Sequence, residues 1–87
     1  LLGGKSVKGD DVAMADNRLI HAFAKNALEE IRVSINVFRG KEYIDIRTYY
    51  KGDDGEFHPS KKGVTLSPEL LPDLMEAVRK LEEALEE

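Results

Sequence analysis

Eighty-seven residues leave room for one domain, and the lack of cysteine excludes disulfide stapling and thiolate metal sites. The net charge of −4 argues at first against a nucleic-acid partner, but the charge is uneven: residues 32–63 carry seven Lys/Arg against five Asp/Glu, and residues 64–87 carry two against seven. No apolar run approaches the roughly 20 residues of a membrane span, and the opening LLGGKSVKGDD lacks the apolar segment of a secretory leader.

Residues 1–15 are Gly-, Lys- and Asp-rich and aperiodic, and are expected to be disordered. Met14 reads as a natural start, with the residues before it left from cloning. Residues 16–87 then form the single domain. Its first stretch reads two ways. Leu19, Ile20, Phe23, Ala27 and Leu28 fit a helical stripe with Asp16 as N-cap. Ile20, Ala22 and Ala24 also alternate with His21, Phe23 and Lys25, as in a short strand with Asn26–Glu30 as the connection. Periodicity alone does not separate the two.

From Ile31 the pattern is strict. Ile31, Val33, Ile35 and Val37 alternate with Arg32, Ser34, Asn36 and Phe38, which predicts a half-buried strand. Arg39-Gly40 is a turn signal, and Glu42–Tyr50 is a second strand, so the pair forms an antiparallel hairpin. After the turn-rich KGDDG, Glu56–His58 reads as a brief third strand ended by Pro59, and Lys61–Leu66 as a fourth. Ser67-Pro68 opens a helix, with Ser as cap and Pro at its first position. Pro72 predicts an irregular start, or a helix that begins properly only there. Leu71, Leu74, Val78, Leu81 and Leu85 recur at spacings of three and four, and Glu76, Arg79, Lys80, Glu82 and Glu83 fall outside that stripe. The fold class is thus α+β, four antiparallel strands and a C-terminal helix. So small a chain gains most from oligomerisation, and the leucine stripe is the predicted homodimer seam; the plainer alternative is that the helix lies on its own sheet.

The aromatic residues carry the functional signal. By parity Phe38 lies on the polar face of its strand, and Tyr49 and Tyr50, being adjacent, cannot both face one side. Arg39, Lys41 and Arg47 share the hairpin, and Lys61 and Lys62 follow. Exposed rings interleaved with cations suit single-stranded nucleic acid, whose bases stack on the rings while cations follow the phosphates. The alternative is that Phe38 bends into the core and the cations are ordinary solvated charge. Asp53, Asp54, Glu56 and His58 match no established metal-ligand spacing and read as turn chemistry; no metal or cofactor is expected. Gly3-Gly4-Lys5-Ser6 mimics only the end of a phosphate loop. No nucleophile or acid–base pair assembles, so the sequence does not read as an enzyme.

The run Phe38–Leu71 resembles the C-terminal domain of the transcriptional coactivator positive cofactor four and its bacterial relatives. The resemblance rests on FRGK at Phe38–Lys41, YIDIR at Tyr43–Arg47, PSKKG at Pro59–Gly63 and LSPE at Leu66–Glu69 in this order and spacing. It implies a curved four-stranded antiparallel sheet followed by one helix, dimerisation chiefly through the helices, and binding of single-stranded DNA with little sequence preference. It favours the strand reading near Ile20–Lys25. It also implies stacking on Phe38 and on Tyr50, which stands where the coactivator has tryptophan. The basic positions it implies are Arg39, Lys41, Arg47, Lys61 and Lys62. His58 replaces a basic residue, and Asn36 stands where the coactivator has arginine. Without the serine- and lysine-rich extension of the eukaryotic protein, the sequence resembles a bacterial-type member. The implied setting is cytoplasm or nucleoid in a bacterium and the nucleus in a eukaryote. RNA binding and recruitment of transcription-machinery proteins stand as the alternative functions.

Overall fold

The computed structural model describes residues 16–86; the segment expected to be disordered, residues 1–15, lies outside them. Strands β1 (Asp16–Ala24), β2 (Glu29–Phe38), β3 (Lys41–Lys51) and β4 (Phe57–Leu66) form one antiparallel sheet in sequence order. A 3-10 turn at Pro68–Leu70 and helix α1 (Leu71–Leu85) follow. This is the expected α+β order, and the sheet is open, with β1 and β4 as its edges.

The ambiguous first stretch is a strand. Local hydrogen bonds explain why no helix runs through it: the Leu28 amide donates to Asn26 Oδ1 at 2.9 Å and the Lys25 amide to the Glu29 carbonyl at 3.0 Å. These bonds close a tight turn and return the chain along β1 as β2. A bulge at Ile20 shifts the register between Leu19 and His21, which breaks strict alternation. β1 therefore begins earlier than Ile20 and ends at Ala24.

The hairpin Arg39-Gly40 has φ of 55° and 78°, the two positive values that a type I′ turn requires. The two strands expected beyond it, Glu56–His58 and Lys61–Leu66, are one continuous β4. Pro59 does not end it because β4 is an edge strand, where a missing N–H is tolerated. The register shifts between Arg47 and Tyr49, and side chains bridge the gap. Ser60 Oγ donates to the Thr48 carbonyl at 2.7 Å and accepts from the Lys62 amide at 3.0 Å. Just beyond, Gly63 lies so close to β3 that a Cβ there would stand 2.6 Å from the Ile46 carbonyl oxygen and 2.9 Å from Arg47 Cα. Gly63→Ala is expected to destabilise the fold by about 2 kcal/mol or more, because backbone cannot yield as a side chain does. Urea denaturation checks this, and an unshifted midpoint would contradict it.

Pairing sorts the residues onto two faces. Ile31, Val33 and Ile35 lie opposite Thr48, Ile46 and Ile44, and Val64 and Leu66 continue that face across β4. Arg32, Ser34, Asn36 and Phe38 lie opposite Arg47, Asp45, Tyr43 and Lys41 on the other. The apolar face has no cover: among the described residues no hydrophobic side chain is buried.

α1 does not provide that cover. Ser67 directs its Oγ to Glu69 rather than capping the backbone, the 3-10 turn absorbs the irregular start, and Pro72 falls in the first turn of α1, where its missing N–H costs nothing. Leu71, Val78, Leu81 and Leu85 are exposed and Leu74 only half-buried. The helix therefore does not lie on its own sheet. Its outer face is laced by Arg79, which bonds Glu76 and Glu83. No described helix is long and apolar enough to cross a membrane.

Candidate nucleic-acid interface

Phe38 ends β2 on the polar face, opposite Lys41, and is 51% exposed. It is not a core residue. The guanidinium of Arg39 stands 5.2 Å from its ring centroid. Arg39 occupies a left-handed turn position that Asn, Asp or Gly takes at less cost, so the strain is spent on a cation beside an open ring. Phe38, Arg39 and Lys41 thus form one exposed group at the hairpin tip.

Arg47 sits further along the same face in a different state. Its Nε and Nη2 bond the Asp45 carboxylate at 3.1 and 2.9 Å, Nη1 bonds the Ser60 carbonyl at 3.0 Å, and Nη2 reaches Thr65 Oγ1 at 3.4 Å. Thr65 in turn donates to Asp45 Oδ1 at 3.0 Å. Asp45 is only 5% exposed, so this is a partly buried ion pair with satisfied oxygens. The Asp45 hydrogen bond holds the Arg47 pKa above its ordinary value. Four of its five N–H donors are engaged, and they tie β4 to β3 across the bulge.

Tyr50 lies elsewhere. It pairs with Glu29 and His58 at the far end of the hairpin, on the side of Thr48 and Ile46, and is 46% exposed. Its ring is tilted against His58 with centroids 5.8 Å apart. His58 Nε2 lies 3.0 Å from Asp54 Oδ2, and the Asp54 carboxyl is held below its usual range first by the Glu56 amide and then by His58. The acidic turn is thus occupied by its own hydrogen bonds. Lys62 falls on the side of Val64 and Ile46, near Glu29. The Glu29 carboxyl is lowered chiefly by the Asn26 hydrogen bond, with Lys25 and Lys62 adding to it. Lys61 is exposed in the irregular stretch of β4 between Pro59 and Gly63.

The structure therefore does not gather the predicted residues into one patch. Phe38, Arg39 and Lys41 lie at one end, Arg47 midway on the same face, Lys62 next to the Gly63 that pairs with Arg47 but on the side of Val64 and Ile46, and Tyr50 at the opposite end on that second face. At about 3.4 Å per residue, the two exposed rings are about 30 Å apart along the hairpin. Three residues outside the predicted set join the polar face: the Arg32 guanidinium stands 4.3 Å from the Tyr49 ring centroid and 5.8 Å from that of Phe57. Parity had placed Arg32 beside Phe38, but its ring partners come from β3 and β4, and no single strand reveals them.

Comparison with known proteins converges on one group. Residues 25–77 match the family model described as Transcriptional Coactivator p15 (PC4). A PC4 homolog from Burkholderia pseudomallei K96243 superposes with a TM-score of 0.73 at 30% identity, covering 77% of this chain and 98% of that one. The bacteriophage T5 homolog of the eukaryotic coactivator PC4, implicated in recombination-dependent DNA replication, gives 0.68 at 25% identity, covering 82% of each chain. The RNA polymerase II transcriptional coactivator KIWI of Arabidopsis thaliana is 36% identical over 76 residues, covering 87% of this chain and 66% of KIWI. SUB1 of Saccharomyces cerevisiae is 40% identical over 55 residues, 62% of this chain but 19% of SUB1. The chain thus spans only part of the length of these curated relatives.

Proposed function

The chain belongs to the PC4 family of transcriptional coactivators, and from that premise we propose that it binds single-stranded DNA as a homodimer. The observation that carries this reading is Phe38: a half-exposed ring on the polar face of a sheet, with a guanidinium beside it and Lys41 opposite. Bases stack on Phe38 and Tyr50, and phosphates follow Arg39, Lys41, Lys61 and Lys62. Arg47 holds β4 in place. Because the rings lie on opposite faces, a strand that uses both passes around the β4 edge, where Lys61 and Lys62 are exposed. Stacking is indifferent to base identity, so little sequence preference follows. In a duplex the base faces are already stacked and unavailable.

The dimer addresses the missing core. Two copies bury the stripe of Leu71, Leu74, Val78, Leu81 and Leu85 and cover the apolar sheet faces. The acidic outer face of α1 stays away from DNA. It also supports a second reading, recruitment of transcription machinery, since Glu76, Glu82, Glu83 and Glu86 are all exposed and the eukaryotic relatives are RNA polymerase II coactivators.

Side-by-side titration of single-stranded DNA, duplex and RNA at two salt concentrations tests the proposal. Single strands should bind tightly, with a log–log salt slope of about −0.7 per phosphate neutralised, and duplex weakly. Duplex binding as strong as single-strand binding in moderate salt would overturn it.

A further inference from the structure

We infer that Arg32 is a further phosphate-binding residue of this site, held beside the rings of Tyr49 and Phe57 with its terminal amino groups free of protein acceptors; the inference rests on the single-strand reading above. The two arginines at the centre of this face form a direct cross-strand pair, Arg32 on β2 and Arg47 on β3. Like charges placed opposite each other cost stability, so each requires a reason. Each is followed back by a carboxylate two residues earlier, Glu30 and Asp45. There the symmetry ends.

Arg47 spends its donors on Asp45, Ser60 and Thr65 and acts as a fastener. Arg32 donates only Nε, to Glu30, and among the described residues neither of its terminal nitrogens has a protein acceptor. Its side chain is 28% exposed, so the unpaired edge is partly desolvated rather than free in water. The guanidinium carbon lies 4.3 Å from the Tyr49 ring centroid and 5.8 Å from that of Phe57, and Glu30 holds its Nε edge. A guanidinium with one edge anchored, two rings beside it and the other edge without a protein acceptor is a fork ready for a second anion.

The anion is a phosphate rather than a base, because the guanidinium already covers the Tyr49 face that a base would stack on. Lys51, opposite Phe57 on the same side, adds a cation, whereas Asp45 is buried and consumed by Arg47. Arg32 shares its face with Phe38 and lies about 20 Å from it along β2. A strand stacked on Phe38 and running along the hairpin reaches it within a few nucleotides.

The test measures oligothymidylate binding to the full chain against salt. Arg32→Gln should weaken binding about tenfold and reduce the magnitude of the salt slope by about 0.7, the loss of one phosphate contact. Arg32→Lys should keep the slope and lose affinity about threefold, since a point charge replaces the fork. Lys80→Gln, on the outer face of α1, should match wild type. A merely structural role would lower affinity without moving the slope. An unchanged slope in a folded Arg32→Gln protein overturns the inference. Should that variant not fold, the Arg32 Nε–H resonance of the wild-type protein decides: it shifts on adding oligothymidylate if Arg32 is engaged, and stays put if it is not. Wild-type protein that binds no oligothymidylate at all refutes the single-strand reading itself.

Discussion

Val78→Glu is expected to abolish the folded dimer at micromolar concentration. Val78 sits mid-seam on α1 and is 55% exposed in the single chain, as are its neighbours Leu81 and Leu71 to similar degrees. A lone copy buries no hydrophobic residue among those described, which leaves little to offset the conformational entropy of ordering the chain. In the proposed dimer, folding and pairing are therefore one transition. A glutamate in each copy places two carboxylates in the apolar seam, at a cost of about 4 kcal/mol or more, roughly a thousandfold in the dimer dissociation constant. Sedimentation of wild type should give twice the chain mass, and its Tm should rise with concentration, as mass action requires. The variant should sediment as a monomer and lose its β-sheet circular dichroism. A wild-type protein that stays monomeric and stably folded would refute the seam.

What was legible in the sequence, and what was not, follows from where each contact partner lies. β2 and β3 were plain because one face is uniformly β-branched and the turn between them is a two-residue signal at Arg39-Gly40. β1 was not, because the bulge at Ile20 mixes its periods and the bond from the Leu28 amide to Asn26 is invisible to hydrophobic patterning. β4 looked like two strands because Pro59 and the register shift fall together, and the side chains that mend the gap belong to Ser60 and Arg47. The same logic governs the site. Parity placed Phe38 on the polar face and left open a turn into the core, which its exposure rules out. Arg47 had a recognisable position but an unreadable role, since Ser60 and Thr65 lie 13 and 18 residues away. Arg32 stood on the right face, yet only the folded sheet brings Tyr49 and Phe57 against it. Tyr50 carried a correct expectation of exposure but not the face it occupies, which depends on pairing with Glu29 and His58.

Phe38→Ala is expected to weaken single-strand binding by about 10- to 100-fold while leaving the salt slope and the melting temperature almost unchanged. A base stacked on an aromatic ring contributes about 1–3 kcal/mol, and each 1.4 kcal/mol is tenfold in affinity. No phosphate contact is lost with the ring, so the number of counterions released stays the same. Stability should hold because Phe38 is half exposed at the end of β2, with the Arg39 guanidinium beside its ring. Phe38→Trp should preserve or tighten binding, since a larger ring stacks at least as well. Fluorescence anisotropy with a labelled oligothymidylate, repeated across a salt series, separates the quantities: an intercept that falls with a constant slope identifies stacking. A parallel loss of slope would mean that removing the ring displaces Arg39 or Lys41, and the hairpin tip would then act through its cations. An affinity that does not change would leave the exposed ring without a role in nucleotide binding.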